Sequence, residues 1–331
     1  MKTGIILLAV LLVAQIVLSF VTHSGGTQVA EQSVNGVLLS FDKTKVDQLS
    51  VQGVDTKVEL KKVDGQWQSA DGFPANQSKV SGLLDKLAEL KHGLPVGVSE
   101  DALTRFKVAI DDYESRVQLK QGDDVLADLY LGSGAGARQS HVRRQADNVV
   151  YTTAIGVYDA PTDPAEWLDK TVLQLDEKIV SAVELAELKL EKVSKSKDSA
   201  PVWQAAVLPE GKLLNQAGVN EGLQPLWNLQ FAEVLGKEAQ ADYGLDAPVL
   251  TLKLTYDGGE REYLFGKMAE GDDFVLKVSD RDEYFRVAGY SVKPMVEKNA
   301  MEAWLLAEVV EEVEAEPVVD QEAADKVEAI H

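Results

Sequence analysis

"DGFPANQSKVSGLLDKLAEL", residues 71–90, and "EGKLLNQAGVNEGLQPLWNL", residues 210–229, are two versions of one pattern. After an Asn-Gln pair, apolar residues return every three or four positions in both. This spacing predicts an amphipathic helix with the asparagine as its N-cap. The two stretches align without a gap, and the matching residues are Gly72, Asn76, Gln77, Val80, Leu84, Leu87 and Leu90 with Gly211, Asn215, Gln216, Val219, Leu223, Leu226 and Leu229.

The likeness extends to both sides of this helix. "VELKKV" from Val58 and "LKLEKV" from Leu188 precede it, and each is followed by a tryptophan, Trp67 or Trp203. Downstream, "ESRVQLKQGDDVLADLYLG" predicts two strands around Gly122-Asp123-Asp124, and "TLKLTYDGGEREYLFG" predicts the same hairpin around Asp257-Gly258-Gly259. Features that recur in the same order indicate two tandem copies of one domain.

Each copy reads as β-β-β-α-β-β-β-β, because short alternating runs predict strands on either side of the helix. We therefore expect an α+β fold, with a mainly antiparallel sheet and one or two helices in each copy. The first copy is predicted to cover residues 36–165 and the second copy residues 166–306.

Residues 1–21 predict an N-terminal membrane anchor. Apolar residues run from Ile5 to Val21, and a helix of that length spans about 25 Å, close to a bilayer core of roughly 30 Å. A cleaved signal peptide is the alternative, but its apolar region is normally shorter and ends at a small-x-small site, which is not evident here. Residues 22–35 are predicted to form a flexible tether, and residues 307–331 are predicted to form an acidic disordered tail.

The charges around the anchor predict its orientation. Lys2 precedes the apolar run, and the next basic residue is Lys43. Because positive charge stays on the cytoplasmic side, most of the chain is expected beyond the inner membrane, in the periplasm of a Gram-negative cell.

The composition argues against several classes of function. Acidic residues outnumber basic ones 54 to 33, for a net charge of −21, so we expect no binding to nucleic acid. The absence of cysteine removes disulfides and thiol chemistry. The histidines lack the spacing of a zinc site, and no metal or cofactor is predicted. The acidic run Asp280, Asp282 and Glu283 lacks the spacing of a calcium loop.

"LGSGAGARQSH", residues 131–141, has the glycine content of a phosphate-binding loop. Such a loop needs a helix directly after the glycines, so that the helix N-terminus faces the anion. Here the following residues alternate like a strand, and the second copy has "GKMAEGDD" in the same place. We therefore interpret the stretch as a mobile strand-to-strand turn without a bound nucleotide.

A compact basic cluster follows these glycines, formed by Arg138, His141, Arg143 and Arg144. The simpler interpretation is a solvated hairpin. The functional interpretation, which stays open, is a contact with an acidic partner surface. The acidic pairs elsewhere fall at predicted turns, where aspartate is favoured for local backbone bonding, so they do not indicate a catalytic dyad.

The ordered features resemble the domain-of-unknown-function family 4340. The resemblance rests on the anchor, "VDGQW", "LLDKLAEL", "EWLDKTVLQLDEKIV" and the turn "DYGLDAP" at residues 242–248; the first copy has "RFKVAID" in place of that turn. Genes of that family often lie beside ABC transporter components of the gliding-motility type. The resemblance therefore implies an accessory role at such a transporter, and it supplies no catalytic residues.

Together these features predict a non-enzymatic, single-pass protein of the inner membrane. Its partners would be inner-membrane ABC transporter components or other envelope proteins, and residues 5–21 would hold it in the membrane. Two alternatives stay open. One is an envelope hydrolase whose carboxylates come together from distant positions, and the other is a periplasmic solute-binding module with a pocket between the copies.

Overall fold

The computed structural model describes residues 36–185, 188–194, 200–298 and 300–306. The predicted anchor, tether and acidic tail lie outside these ranges. Within them, no helix is long and apolar enough to cross a membrane. The chain divides between Lys170 and Thr171 into two compact units.

The first unit is one eight-stranded antiparallel sheet with two helices. Its spatial strand order is β3-β2-β1-β5-β6-β7-β8-β4. The strands are β1 (Gln48–Gln52), β2 (Lys57–Val63), β3 (Gln66–Ser69), β4 (Pro95–Gly97), β5 (Ser115–Gln121), β6 (Asp124–Gly136), β7 (Gln139–Arg144) and β8 (Val150–Thr153), and the helices are α1 (Gln77–Ala88) and α2 (Glu100–Arg105).

The second unit repeats this architecture. Its order, β11-β10-β9-β13-β14-β15-β16-β12, matches that of the first sheet position by position, which confirms two tandem α+β copies. Its strands are β9 (Val180–Leu185), β10 (Leu188–Val193), β11 (Val202–Ala205), β12 (Glu233–Gly236), β13 (Leu250–Tyr256), β14 (Gly259–Lys267), β15 (Phe274–Val278) and β16 (Tyr284–Val287), and its helices are α3 (Gln216–Trp227) and α4 (Gly289–Glu297).

The predicted element pattern needs one correction in each copy. It omitted the edge strands β4 and β12, which are short and contain glycine or proline, so they carry no alternation to detect. The second helix also lies at different places in the two copies. α2 falls between β4 and β5, whereas α4 follows β16.

The helix that the repeat predicts packs on one face of each sheet. Asn76 caps α1 by accepting a hydrogen bond from the Lys79 backbone at 3.0 Å, and Asn215 caps α3 from Gly218 at the same distance. In the first unit, the buried side of α1 joins the inward residues of the central strands in one core. The helix residues in that core are Val80, Leu83, Leu84 and Leu87.

A buried tryptophan near the end of each copy is hydrogen-bonded to the residue that caps the helix. The Asn76 backbone N–H donates to the Trp167 carbonyl at 2.7 Å, and Asn215 donates to Trp304 at 2.9 Å. Trp167 is fully buried in the core of the first unit. Residues 166–170, which were predicted to begin the second copy, therefore lie in the first unit, which ends at Lys170.

A smaller cluster lies on the opposite face of the first sheet. Tyr130 points away from its buried neighbours Leu129 and Leu131, as alternation along a strand requires. It packs with Leu103 and Val108 in a cluster separate from the main core. The α2 segment thus covers part of this second face, over β6, β7 and β8.

Candidate functional site

The glycine stretch at residues 131–141 is a strand, a turn and a strand. β6 continues through Gly136, Arg138 lies in the turn with a φ of 57°, and β7 starts at Gln139. Because a strand follows the glycines, no helix N-terminus faces an anion here. The predicted strand-to-strand connection is confirmed.

The basic cluster does not form one surface. Arg138 is exposed in the turn. His141 is partly buried, with its ring stacked on Phe106 at 4.1 Å between centres. Its Nδ1 lies 2.9 Å from the Ser133 carbonyl oxygen.

Arg143 corrects the expectation of a solvated hairpin, because it is only 2% exposed. Its Nε donates to the Val108 carbonyl at 2.6 Å, and its Nη1 donates to the Asp147 carbonyl at 3.1 Å. The guanidinium also lies 4.3 Å from the centre of the Tyr130 ring. Arg143 therefore joins β7 to the segment that covers the second face, and it is not available to a partner surface.

Arg144 points to the other side of the sheet, as its position beside Arg143 requires. Its Nη2 forms an ion pair with Asp147 at 2.5 Å, and its Nη1 donates to the Leu38 carbonyl at 3.4 Å. The four predicted residues are thus divided between a turn and two faces. Of the four, Arg138 alone is exposed.

Charged side chains cluster on a different surface of the first unit. We define the first open face as the outward residues of β2, β1 and β5, with Asp128 of β6, where α2 does not cover the sheet. Lys61 and Lys120 lie on either side of Gln48 in one cross-strand row. Basic side chains outnumber acidic ones, and a shallow groove of about 130 Å³ runs across them. The charged members are Lys57, Lys61, Arg116, Lys120, Glu59 and Asp128.

Ion pairs hold the carboxylates of this face in place. Arg116 donates to both oxygens of Asp128, at 2.8 and 2.6 Å, and Gln118 donates to the same carboxylate at 2.8 Å. A hydrogen bond from Lys57 lowers the pKa of Glu59, and the charges of Lys61 and Lys120 lower it further. The face therefore presents a defined pattern of charges with a basic excess.

The second open face, on β10, β9, β13 and β14, has an acidic excess, and two of its positions exchange sign with the first face. Lys61 lies opposite Gln68 on the neighbouring strand, and Glu191 lies opposite Gln204. Because Gln68 and Gln204 each follow the tryptophan that the copies share, Lys61 and Glu191 occupy the same place in their sheets. Lysine in the first copy therefore corresponds to glutamate in the second. Two positions earlier the exchange is reversed, from Glu59 to Lys189. The other charged members of the second face are Glu184, Lys253, Glu260 and Glu262.

Sequence reasoning missed these faces, although a signal was present. The strand "KVELK" from Lys57 and its counterpart "ELKLE" from Glu187 alternate charged and apolar residues with the charge signs exchanged. The alternation predicts strands, and the exchange of sign between the apolar positions is the signal for the charged faces.

Acidic side chains do not form a metal-binding cluster in the part of the chain that the structure describes. There, no three His, Asp or Glu side chains come together as metal ligands would. The acidic run from Asp280 is divided between separate cations. Asp280 pairs with Arg261 at 2.6 Å, and Asp282 lies 3.5 Å from Lys237.

Comparison with known proteins gives one match. A family model described as "Domain of unknown function (DUF4340)" matches residues 67–248, from the tryptophan of the first copy to the end of the Tyr-Gly-Leu turn in the second. Neither the curated proteins nor the solved structures gave a match. Because the family match covers more than half of the 331 residues, this chain belongs to the DUF4340 family.

Proposed function

We propose that this chain is a non-enzymatic, membrane-anchored periplasmic protein that binds a partner protein through the first open face. In this proposal it is an accessory or binding subunit of an ABC-type transporter system in the cell envelope. The predicted anchor at residues 1–21 supports the location, and the resemblance described above supports the transporter.

The observation that carries the proposal is the basic excess of the first open face, where the second open face has an acidic excess. Folding does not require it, because exposed ion pairs contribute little to stability and the two sheets have the same strand order. In a chain of net charge −21, a locally basic face attracts an acidic surface that the rest of the molecule repels. The partner is therefore expected to present carboxylates to Lys61 and Lys120.

Co-purification of the full-length protein from membranes tests this proposal. The variant Lys61→Glu with Lys120→Glu should reduce partner recovery several-fold and leave the melting temperature nearly unchanged, since neither residue is buried. Recovery with the wild-type chain should also fall as salt rises, because exposed charges are screened.

The matched control is Lys45→Glu with Lys91→Glu, which makes the same change of charge at exposed positions outside the face. Recovery of the partner should match the wild type in this control. Equal losses in both double variants would mean that net charge, and not the open face, determines binding.

A further inference from the structure

The second unit has a cleft at the edge of its sheet. It lies between α3, the strands β10 and β11, and a 3₁₀ helix at Glu177–Ile179. Its volume is about 640 Å³, within the range of small-molecule sites. Its walls combine indole rings, side-chain amides and charged groups, which belong to Glu177, Lys192, Trp203, Asn220, Gln224 and Trp227.

Trp227 distinguishes this cleft from the protein core. The other four tryptophans of the chain, at 67, 167, 203 and 304, are at most 5% exposed. Trp227 is only partly buried and lines the cleft at the last residue of α3. The last residue of α1, at the same place in the first copy, is Ala88.

A charged side chain is held beside the indole of Trp203. The Lys192 side chain is 13% exposed, and its Nζ donates to the Glu177 carbonyl at 2.6 Å. It also lies 3.5 Å from a Glu177 carboxylate oxygen and 4.9 Å from the centre of the Trp203 ring. Asn220 and Gln224 are one helical turn apart on α3, so both amides share a face of the helix with Trp227.

The first copy differs from the second at the same place. There Lys43 of the 3₁₀ helix Lys43–Lys45 forms an ion pair with Asp85 of α1. The matching residues of the second copy are Glu177 and Gln224, which cannot form that pair. The two copies therefore differ at this place in the side chains that line it.

We propose that this cleft binds a saccharide. The apolar faces of sugar rings stack on indole rings, and their hydroxyls exchange hydrogen bonds with amides, carboxylates and ammonium groups. In this site Trp227 provides the stacking surface. Asn220, Gln224 and Glu177 accept or donate hydrogen bonds to the hydroxyls. The inference is independent of the partner and the location proposed above.

Titration of the purified full chain with soluble oligosaccharides tests the inference. The probes are oligomers of N-acetylglucosamine, of β-1,4-linked glucose and of α-1,4-linked glucose, in a detergent without a sugar headgroup. Binding is followed by tryptophan fluorescence and by calorimetry. At least one series should saturate the protein, with a fluorescence change that comes from Trp227.

Two variants and one control make the result specific. Trp227→Ala should weaken binding about tenfold or more, because it removes the stacking surface. Glu177→Lys with Gln224→Asp restores the ion pair of the first copy and should abolish binding. Ser81→Ala, at the position of Asn220 in the first copy, should leave the affinity unchanged.

Other outcomes would overturn the inference. No fluorescence change or heat with any of the three series up to about 10 mM would do so. Binding that survives both Trp227→Ala and the double variant, with circular dichroism showing folded protein, would place the saccharide elsewhere. Saturation by a short peptide, in the absence of saccharide binding, would assign the cleft to another class of ligand.

Discussion

At the scale of single residues, the two copies share a left-handed backbone conformation at one corresponding position. The turn before β13 uses Gly244 with a φ of 66°, and the first copy places Lys107 there with a φ of 55°. A Cβ on Gly132 or on Gly266 would lie 2.1 Å from the carbonyl oxygen of Phe106 or Tyr243. The close approach of the two backbones is thus the same in both copies. The sequence shows the glycine of this turn in the second copy alone.

Lys107→Gly should stabilise the first unit by about 0.5–1 kcal/mol, since glycine adopts positive φ without the steric penalty of a side chain. The loss of the ion pair with Glu114, 3.3 Å away and exposed, should subtract little. Thermal unfolding monitored by circular dichroism measures the change. Lys107→Ala is the control, because it removes the charge but keeps the Cβ, and it should give no gain.

Tyr263 predicts a pH dependence at the alkaline end. Burial raises the pKa of this phenol above its ordinary value of about 10, and its hydroxyl donates to the Leu173 carbonyl at 2.9 Å. At a pH between the pKa of the unfolded chain and the higher pKa of the folded chain, the phenol is therefore neutral in the folded chain and ionised in the unfolded chain. Its contribution to stability is complete below about pH 10 and falls as the pH rises above that value.

Melting temperatures of wild type and Tyr263→Phe between about pH 8.5 and 11 test this dependence. The variant should melt lower at pH 8.5, because the hydrogen bond is lost, and the difference should narrow as the pH rises. A difference that stays constant over this range would show that the folded and unfolded phenols ionise alike.

At the scale of elements, the Asn-Gln pair has two separate roles. The asparagine caps the helix, as its spacing predicts. The glutamine instead binds the backbone of an edge strand. Gln77 accepts from the Trp67 N–H at 2.8 Å and donates to the Trp67 carbonyl at 2.9 Å. Gln216 repeats both bonds with Trp203, at 3.1 and 2.6 Å. Sequence alone could not show this role, because it depends on where the strand lies.

Gln77→Ala should destabilise the first unit by about 1–3 kcal/mol, and Gln216→Ala the second, because each leaves the backbone N–H of a buried tryptophan without its side-chain partner. Denaturant unfolding of each variant measures the loss. The control is Gln66→Ala, an exposed residue of β3, which should change stability by less than about 0.5 kcal/mol. Losses no larger than the control would mean that the pair contributes little to holding β3 and β11.

At the scale of the whole molecule, what the sequence could predict follows from periodicity. Two copies, the strand hairpins and the helix were predictable, because each carries a repeating apolar pattern. The burial of Arg143 was not predictable, because it depends on the chain between β4 and β5 folding over the second face of the sheet. The cleft was equally hidden, because it arises from positions as far apart as Glu177 and Trp227.

The predicted anchor gives a direct test on the mature protein. N-terminal sequencing after membrane extraction should find residues that precede Thr22, since no small-x-small cleavage site follows the apolar run. A mature start near Gly25 or Glu31 would identify a signal peptide. The periplasmic location would then stand without the anchor.

Site-specific crosslinking in cells tests most directly whether the first open face binds a partner. A photoreactive amino acid at Ser50 or Gln118, neighbours in one row of the face, should capture the same protein from both positions. The same amino acid at Lys91, which is exposed outside the face, should not capture it. Failure to form an adduct from Ser50 or Gln118, or capture of the same protein from Lys91, would contradict the account.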